Sequence, residues 1–146
     1  MASKKAYNLV IDSIHSLRWR NETKVPERIF VSGPITPRDC TLTEAPQIEQ
    51  RNVDRVIEVA VTLIDKGHFV YVPHFDHFLY IHYSCKKDYG AWYYEKDYTF
   101  LDYWATALFF IRPGPGTNKE LDRAMASNLK IYYDLEDVPE VRTNAK

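Results

Sequence analysis

Hydrophobic side chains follow two alternating periods along this chain. Short apolar runs rich in β-branched and aromatic residues, each bounded by Gly, Pro or polar positions, are typical of buried strands. Four such runs occur, at residues 29–32, 69–72, 107–111 and 130–133. Apolar positions three and four apart, which predict amphipathic helices, occupy residues 47–66, 91–104 and 117–128. This alternation predicts an α/β fold, in which a parallel sheet of about four to five strands carries helices on both faces.

The chain of 146 residues has the usual length of one domain. We predict a three-layer α/β domain at residues 28–133. Residues 1–27 are predicted to hold a peripheral helix, at residues 6–19, and a linker, whereas residues 134–146 are predicted to be a polar, loosely held tail. Turn-favouring residues predict a loop at residues 37–46, and residues 74–89, which lack a clean period, are predicted to be a loop with some helix.

Charge and cysteine usage argue against several classes of partner. A net charge of −1 gives no field for holding nucleic acid by its phosphates, so no polynucleotide partner is expected. The two cysteines, Cys40 and Cys85, lack the spacing of a disulfide framework or a zinc site. No run approaches the roughly 18 apolar residues of a membrane span, and the N-terminus lacks the apolar core of a signal peptide. These features predict a soluble, cytoplasmic protein with no membrane partner.

Tyrosines and tryptophans crowd the segment between residues 69 and 104. Tyrosine offers a flat face with a polar tip, which suits a pocket that stacks a ring. The same crowding suits a subunit interface or a thick core, and composition leaves all three open.

Glu120 is the first candidate for chemistry. It follows the predicted strand at residues 107–111, across the loop at residues 113–116 (PGPG). Ligands of parallel sheets bind beyond the carboxyl ends of the strands, where this loop lies. A structural alternative is a capping box, in which Thr117 begins the next helix and Glu120 reaches back to its backbone N–H. The position of the loop favours a functional carboxylate.

The first predicted strand ends in a similar loop, at Ser32, Gly33, Pro34 and Ile35. Gly33 and Pro34 are turn formers, and a small residue here also lets the backbone approach a ligand with N–H groups that can hold phosphate. The spacings of a P-loop, a dinucleotide-binding glycine motif and a Gly-x-Ser-x-Gly elbow are absent from the sequence. Kinases, dehydrogenases and the usual serine hydrolases are therefore disfavoured, and no cofactor is expected.

Asp97 is the second candidate, because it falls inside an apolar stripe of the predicted helix at residues 91–104. Its neighbours on this face are Tyr93, Phe100, Leu101 and Trp104. A carboxylate there costs several kcal/mol unless it finds donors or faces a wet cavity, which predicts a functional pocket. The alternative is an exposed aspartate beside Lys96, on a helix of slightly different phase.

A metal hypothesis arises from His74, Asp76, His77 and His82. Their spacing matches no zinc motif, and no firm helix sets the directions of the ligands, so no metal site is predicted. His74 directly follows a strand and is predicted to line the pocket. His77 and His82 are assigned packing or surface roles.

Four motifs, taken in their order and spacing, carry a resemblance to a known family. They are residues 30–36 (FVSGPIT), residues 67–74 (GHFVYVPH), Trp92 with Asp97, and residues 113–120 (PGPGTNKE). Over about residues 28–133 the chain resembles the nucleoside 2-deoxyribosyltransferase-like superfamily, most closely its small bacterial and phage members. It is similar to the deoxynucleoside monophosphate N-glycosidases in the glutamate loop.

The resemblance implies a flavodoxin-like or Rossmann-like fold, often dimeric, and cleavage of the N-glycosidic bond between a nucleobase and a (deoxy)ribose. The implied partner is a nucleoside or nucleotide. Glu120 matches the glutamate that attacks the anomeric carbon, and Asp97 matches the aspartate that contacts sugar hydroxyls and orients the nucleophile. The other expected site residues are Ser32, Gly33, Pro34, Ile35, Gly114, Gly116 and Thr117 around the sugar and any 5′-phosphate, and Trp92 or His74 beside the base.

Two positions depart from the family pattern. Phe30 stands where many members carry a tyrosine whose hydroxyl positions the nucleophile. Gly114 stands where the transferases have Asp and the monophosphate hydrolases have Ser, so the polar group at the 5′ end is missing or replaced, with Thr117 as the candidate. Two alternatives stay open: a catalytically silent nucleotide-binding module and an NAD-cleaving glycohydrolase.

Overall fold

The centre of the fold is a four-stranded parallel sheet. The structure is a computed structural model that describes residues 25–36, 40–76 and 90–141. The strands are β1 (Arg28–Ser32), β2 (Phe69–Tyr71), β3 (Ala107–Phe110) and β4 (Lys130–Tyr132). Their order across the sheet is β2-β1-β3-β4, and every pair of neighbours is parallel. The predicted α/β fold class is confirmed.

Helices cover both faces of the sheet. They are α1 (Ala45–Asp65), α2 (Gly90–Thr99) and α3 (Pro115–Ala126), and α2 continues into a π-helical turn (Phe100–Trp104). α1 packs on one face, where Val59 and Leu63 join Ile29 of β1 in a single apolar cluster. On the other face, Leu101 of the π-helical turn and Ala124 of α3 pack with Phe30. Alternate residues of β1 thus serve opposite faces, as the strand period requires.

The ends of α1 have clear local causes. It begins at Ala45 with Pro46 in its first turn, so the loop predicted at residues 37–46 is too long. Proline is tolerated there because the first N–H groups of a helix have no intrahelical partner. At the other end Gly67 has a φ of 92°, and the N–H groups of Gly67 and His68 bond to carbonyls of the last turn at 2.8 and 3.1 Å. This is a Schellman motif, and the stop predicted at Gly67 is confirmed.

The segment that follows β4 is packed against the domain, although the sequence predicts a loosely held tail. Lys66 donates through Nζ to the carbonyls of Leu135 and Val138, at 2.6 and 2.8 Å. His68 Nε2 lies 2.7 Å from the carbonyl of Pro139. Val138 is buried in the apolar cluster under α1. This part of the predicted tail is therefore a structural component of the domain.

Several predicted segments lie outside the described residues. They are the helix at residues 6–19, residues 37–39 of the first loop, residues 77–89 of the second loop and the tail from residue 142. Within the described part of the chain, none of the helices combines the length and the apolar character that crossing a membrane requires.

Candidate functional site

A cleft opens where the strand order reverses. The chain passes from β1 to β2 on one side and then to β3 and β4 on the other, so the loops after β1 and β3 diverge between these neighbouring strands. Such reversal points are the usual ligand sites of open α/β sheets. The cleft has a volume of about 1340 Å³, which exceeds the roughly 300–1,000 Å³ of most small-molecule pockets. Most of the predicted site residues line it: Gly33, Pro34, Ile35, His74, Asp97, Gly114, Gly116, Thr117 and Glu120.

Glu120 projects from α3 toward the end of β1. α3 begins at Pro115, with Gly114 as its N-cap residue, so Thr117 lies inside the first turn. The Thr117 hydroxyl bonds to two loop carbonyls, at 3.0 and 3.1 Å. Glu120 lies beyond that turn, and its Oε2 accepts a hydrogen bond from the hydroxyl of Ser32. The capping-box alternative for Glu120 is therefore wrong.

Glu120 is a weak acid for a carboxyl group. Burial, with a smaller contribution from the negative charge of Asp97, raises the pKa of Glu120 from 4.5 to about 7. The hydrogen bond from Ser32 acts in the opposite direction, because it stabilises the ionised form. Both protonation states are thus populated near neutral pH, which suits a group that changes its bonding during a reaction.

Ser32→Ala is expected to raise the pKa of Glu120 further. The substitution removes the hydroxyl that stabilises the carboxylate, whereas the burial of Glu120 is kept. An NMR titration of ¹³C-labelled glutamate side chains measures the change. Thr106→Val is the matched control, because the hydroxyl of Thr106 bonds to the backbone N–H of Arg28 at the opposite end of the sheet. An unchanged titration of Glu120 in Ser32→Ala would contradict the role of this hydroxyl.

Asp97 approaches the same cleft from α2. Its side chain is 14% exposed, and its Oδ1 atom lies 3.1 Å from both the hydroxyl of Tyr71 and Nζ of Lys96. Burial raises the pKa of Asp97, while Lys96 and Tyr71 favour its ionised form. Asp97 thus has a hydrogen-bond donor and lines the cleft, and Lys96 is its ionic partner. The negative charge of Asp97 also acts on Glu120 and disfavours its ionised form.

The helix that carries Asp97 changes its winding after α2. The sequence predicts one helix over residues 91–104, whereas the structure has the π-helical turn at its end. The N–H of Ala105 bonds to the carbonyl of Phe100, five residues earlier, at 2.9 Å. Turns of this kind occur frequently at functional sites. The turn follows Asp97 and contains Leu101, which anchors the segment in the core.

Asn52 connects three parts of the cleft, and no sequence prediction covers it. It is buried in α1, and its side-chain amide donates to the carbonyl of Ile35 at 2.9 Å. Its side-chain oxygen accepts a hydrogen bond from the guanidinium of Arg112, after β3. The sequence did contain a signal, since an asparagine on the apolar face of a helix needs hydrogen-bond partners.

The α1 side of the cleft is basic, a feature that no sequence prediction covers. Arg51, Arg55 and Arg112 line this side, and Glu49 lies among them. Arg55 also pairs with Glu58 at 2.7 Å. The three guanidinium groups outnumber the carboxylates of Glu49 and Glu58, so this side carries an excess of positive charge. The positive side can therefore attract an anionic part of a ligand.

Gly33 has a packing role in the loop after β1. A Cβ atom at this position would lie 2.9 Å from Cδ1 of Ile111 and 3.1 Å from Cγ2 of Val56. The small residue therefore lets the loop pass close to α1 and to the residue that follows β3. Its predicted approach to a ligand stays a prediction.

Two predicted site residues do not line the cleft, namely Ser32 and Trp92. Ser32 is fully buried and contacts Glu120. Trp92 is 48% exposed, and its ring centroid lies 5.6 Å from Nζ of Lys96. Tyr93 and Tyr94 line the cleft. Adjacent helix positions differ by about 100° in direction, so an uncertainty of one residue in helix phase selects a different aromatic side chain.

The histidine segment is described only in part. His74 is buried and lines the cleft, as predicted. Asp76 forms an ion pair with Lys96. His77 and His82 lie outside the described residues. Among residues 25–36, 40–76 and 90–141, no group of three or more His, Cys, Asp or Glu side chains could hold a metal ion.

Comparisons with known proteins add no identification. No protein-family model matches the sequence, and a search of curated proteins gives no match.

Proposed function

We propose that this protein cleaves the N-glycosidic bond of a nucleoside or nucleoside 5′-monophosphate, by hydrolysis or by transfer. The observation that carries the proposal is the convergence of two carboxylates, Glu120 and Asp97, on one cleft where the strand order reverses. The same residues match the nucleophile and the sugar-binding aspartate of the nucleoside 2-deoxyribosyltransferase-like superfamily, which the sequence resembles. A pair of carboxylates suits a reaction that passes through an oxocarbenium-like transition state.

Glu120 is the nucleophile in this proposal. Ser32 holds Oε2, so we assign the attack on the anomeric carbon to Oε1. The bond from C1′ to the base breaks as the bond from Oε1 to C1′ forms. The base leaves with the electron pair and takes up a proton from solvent. Water or a second base then attacks C1′ and loses a proton to solvent, and the Glu120 carboxylate is released.

Asp97 binds the sugar hydroxyls in this proposal. Its ionised carboxylate accepts their hydrogen bonds, and its negative charge stabilises the positive charge that develops at C1′. The walls around the sugar are the loop after β1 and the beginning of α3. The side chains that can flank the base are His74, Tyr93 and Tyr94, which line the same cleft. Stacking on an aromatic ring contributes about 1–3 kcal/mol for each base.

The basic side of the cleft favours a phosphorylated substrate. Arg51, Arg55 and Arg112 line the side formed by α1, whereas Asp97 and Glu120 come from helices on the other face of the sheet. Arginine is well matched to phosphate, because its planar group can donate two parallel hydrogen bonds. These arginines can compensate for the missing polar side chain at position 114. We therefore expect the monophosphate to bind more tightly than the nucleoside.

The proposal also covers the oligomeric state of the protein and its location in the cell. The family resemblance supports a homodimer that needs no cofactor. The composition of the chain supports a cytoplasmic protein that binds no polynucleotide.

A second candidate function is nucleotide binding without turnover. Phe30 is fully buried and packs against Tyr71, with ring centroids 5.4 Å apart, so β1 offers no hydroxyl at that position. Gly114 offers no side chain to the ligand either. A cleft with the right shape and a poorly assisted glutamate would bind a nucleotide and leave it intact.

The two candidate functions differ in whether free base appears. Purified protein is incubated with ribo- and deoxyribonucleosides, their 5′-monophosphates and NAD, and released base is quantified by chromatography. We expect base release, at least about tenfold more efficient for monophosphates than for nucleosides because of the arginines. Thermal stabilisation by the same ligands is measured in parallel. Stabilisation without base release would support the binding module, and nicotinamide release alone would identify an NAD-cleaving enzyme. If the ligands cause neither stabilisation nor base release, every nucleotide function is contradicted.

A further inference from the structure

Tyr71 stands beside Phe30 in the sheet, and it brings a hydroxyl group to the cleft. The two residues are cross-strand partners on β2 and β1, so their side chains lie on the same face. The Tyr71 ring stacks on Phe100, with centroids 4.0 Å apart and an interplanar angle of 9°, and it meets Trp104 edge-on at 6.2 Å. Aromatic neighbours on several sides hold the ring in one orientation.

The Tyr71 hydroxyl is directed at Asp97. It donates to Oδ1 at 3.1 Å, and Nζ of Lys96 reaches the same oxygen at 3.1 Å. The hydrogen bond from Tyr71 and the charge of Lys96 both act on Oδ1, and we assign Oδ2 to the ligand. Burial and the negative charge of Asp97 raise the pKa of Tyr71 above its usual value. The hydroxyl therefore keeps its proton, and remains a donor, at neutral pH.

Lys96 completes the surroundings of Asp97. Its ammonium group forms ion pairs with Asp76 and Asp97. It also lies 5.7, 5.6 and 5.5 Å from the ring centroids of Tyr71, Trp92 and Tyr93. Carboxylates and aromatic faces both attract a cation. The position of Lys96 is thus determined by several partners, which makes it a stable counter-charge for Asp97.

We propose that Tyr71 is a positioning residue for the proposed glycosidic cleavage: its hydroxyl donates to the Asp97 carboxylate and holds it turned toward the sugar. The inference rests on the proposed function, because the sugar is the group that Asp97 would bind. Among the described residues, the titratable and charged groups around Asp97 and the neighbouring Glu120 are Tyr71, His74, Asp76, Tyr93, Tyr94, Lys96 and Tyr98. Tyr71 and Lys96 both favour the ionised form of Asp97. Of the two, only the Tyr71 contact can be removed by a substitution that leaves the net charge of the protein unchanged.

Tyr71→Phe tests this role, because it removes the hydroxyl and keeps the ring contacts. If catalysis needs both carboxylates ionised, the loss of this donor raises the pKa of Asp97 and lowers the population of the doubly ionised pair at acidic pH. We expect the acidic limb of kcat/KM to move to higher pH. Activity at pH 6 should fall about tenfold for each unit of that displacement, with recovery at alkaline pH.

Tyr132→Phe is the matched control. Tyr132 is a buried tyrosine on β4 whose hydroxyl donates to Oε2 of Glu27 at 2.6 Å, just before the amino end of β1. This variant also loses one hydrogen bond to a carboxylate, yet its pH profile should match that of the unsubstituted protein. The proposal would be overturned if the pH profile of Tyr71→Phe also matched that of the unsubstituted protein. It would equally be overturned if both variants lost activity by the same factor at all pH values.

A second measurement separates this inference from the proposed function. The ¹³C signal of the Asp97 carboxyl group is titrated by NMR in both variants and in the unsubstituted protein. We expect Asp97 to ionise at higher pH in Tyr71→Phe alone. Base release with an unaltered Asp97 titration would refute the role of Tyr71 and keep the proposed function. An altered titration in a protein that releases no base would support the contact and refute the reaction.

Discussion

Replacing Glu120 by glutamine is expected to abolish base release and, at pH 8, to make the protein more stable. The nucleophile is removed while size and the hydrogen bond from Ser32 are retained. Turnover should fall by at least about a thousandfold, the usual consequence of losing a covalent nucleophile. Single-turnover base release with excess protein measures the loss. If Glu120→Gln released base at a rate within tenfold of that of the unsubstituted protein, a nucleophilic role for Glu120 would be contradicted.

The gain in stability follows from the raised pKa of Glu120. The folded protein holds a proton on this group up to about pH 7, whereas the unfolded chain releases it near its ordinary pKa of 4.5. Stability therefore falls as pH rises through this window, by up to about 3 kcal/mol in total. Glutamine carries no charge, so the variant should gain stability at pH 8 and little at pH 5, as measured by urea unfolding. Glu136→Gln, at an exposed carboxylate, should show no such difference.

Asp97→Asn is expected to lower kcat on the order of a hundredfold and to move the acidic limb of the pH profile to lower pH. The loss reflects a weaker acceptor for the sugar hydroxyls and a missing negative charge near C1′. The displacement arises because the charge of Asp97 raises the pKa of Glu120, so its removal lets Glu120 ionise earlier. This direction is opposite to the one expected for Tyr71→Phe.

Asp102→Asn is the control for that substitution. Asp102 lies on the same segment of chain, and its two oxygens bond to Arg123 at 2.8 and 2.6 Å, away from the cleft lining. Its pH profile should be unchanged. A loss of activity in Asp97→Asn without any displacement of the acidic limb would show that the two carboxylates do not influence each other.

The elements and the location of the site could be predicted because they depend on local patterns. The apolar run of β1 and the spacing of α1 specify their structures and their order. Glu120 was placed at the cleft because loops after parallel strands meet at one edge of the sheet. The capping-box interpretation failed since Pro115 begins α3 two residues earlier than the periodic pattern indicates. Proline is favoured at the first helical position, so this signal was present in the sequence.

The contacts that define the site could not be predicted, because they join distant parts of the chain. Ser32 and Glu120 are 88 residues apart, and Tyr71 and Asp97 are 26 apart. Each contact depends on strand register and helix phase together, and an error of one residue in either redirects the side chain. The packed tail was missed for another reason, since Lys66 bonds there to backbone carbonyls, which every sequence possesses.

The π-helical turn has a consequence for how Asp97 is aimed. A bond that spans five residues accommodates one residue more than an α-helical turn of the same rise. Each residue adds about 100° of rotation, so the side chains before the turn point elsewhere than in a continuous α-helix. Asp97, before the turn, lines the polar cleft, and Leu101, within the turn, lies in the apolar core. Deleting one residue within the turn would rotate Asp97 by about 100° relative to the chain that follows the turn, and so direct its carboxylate away from the cleft.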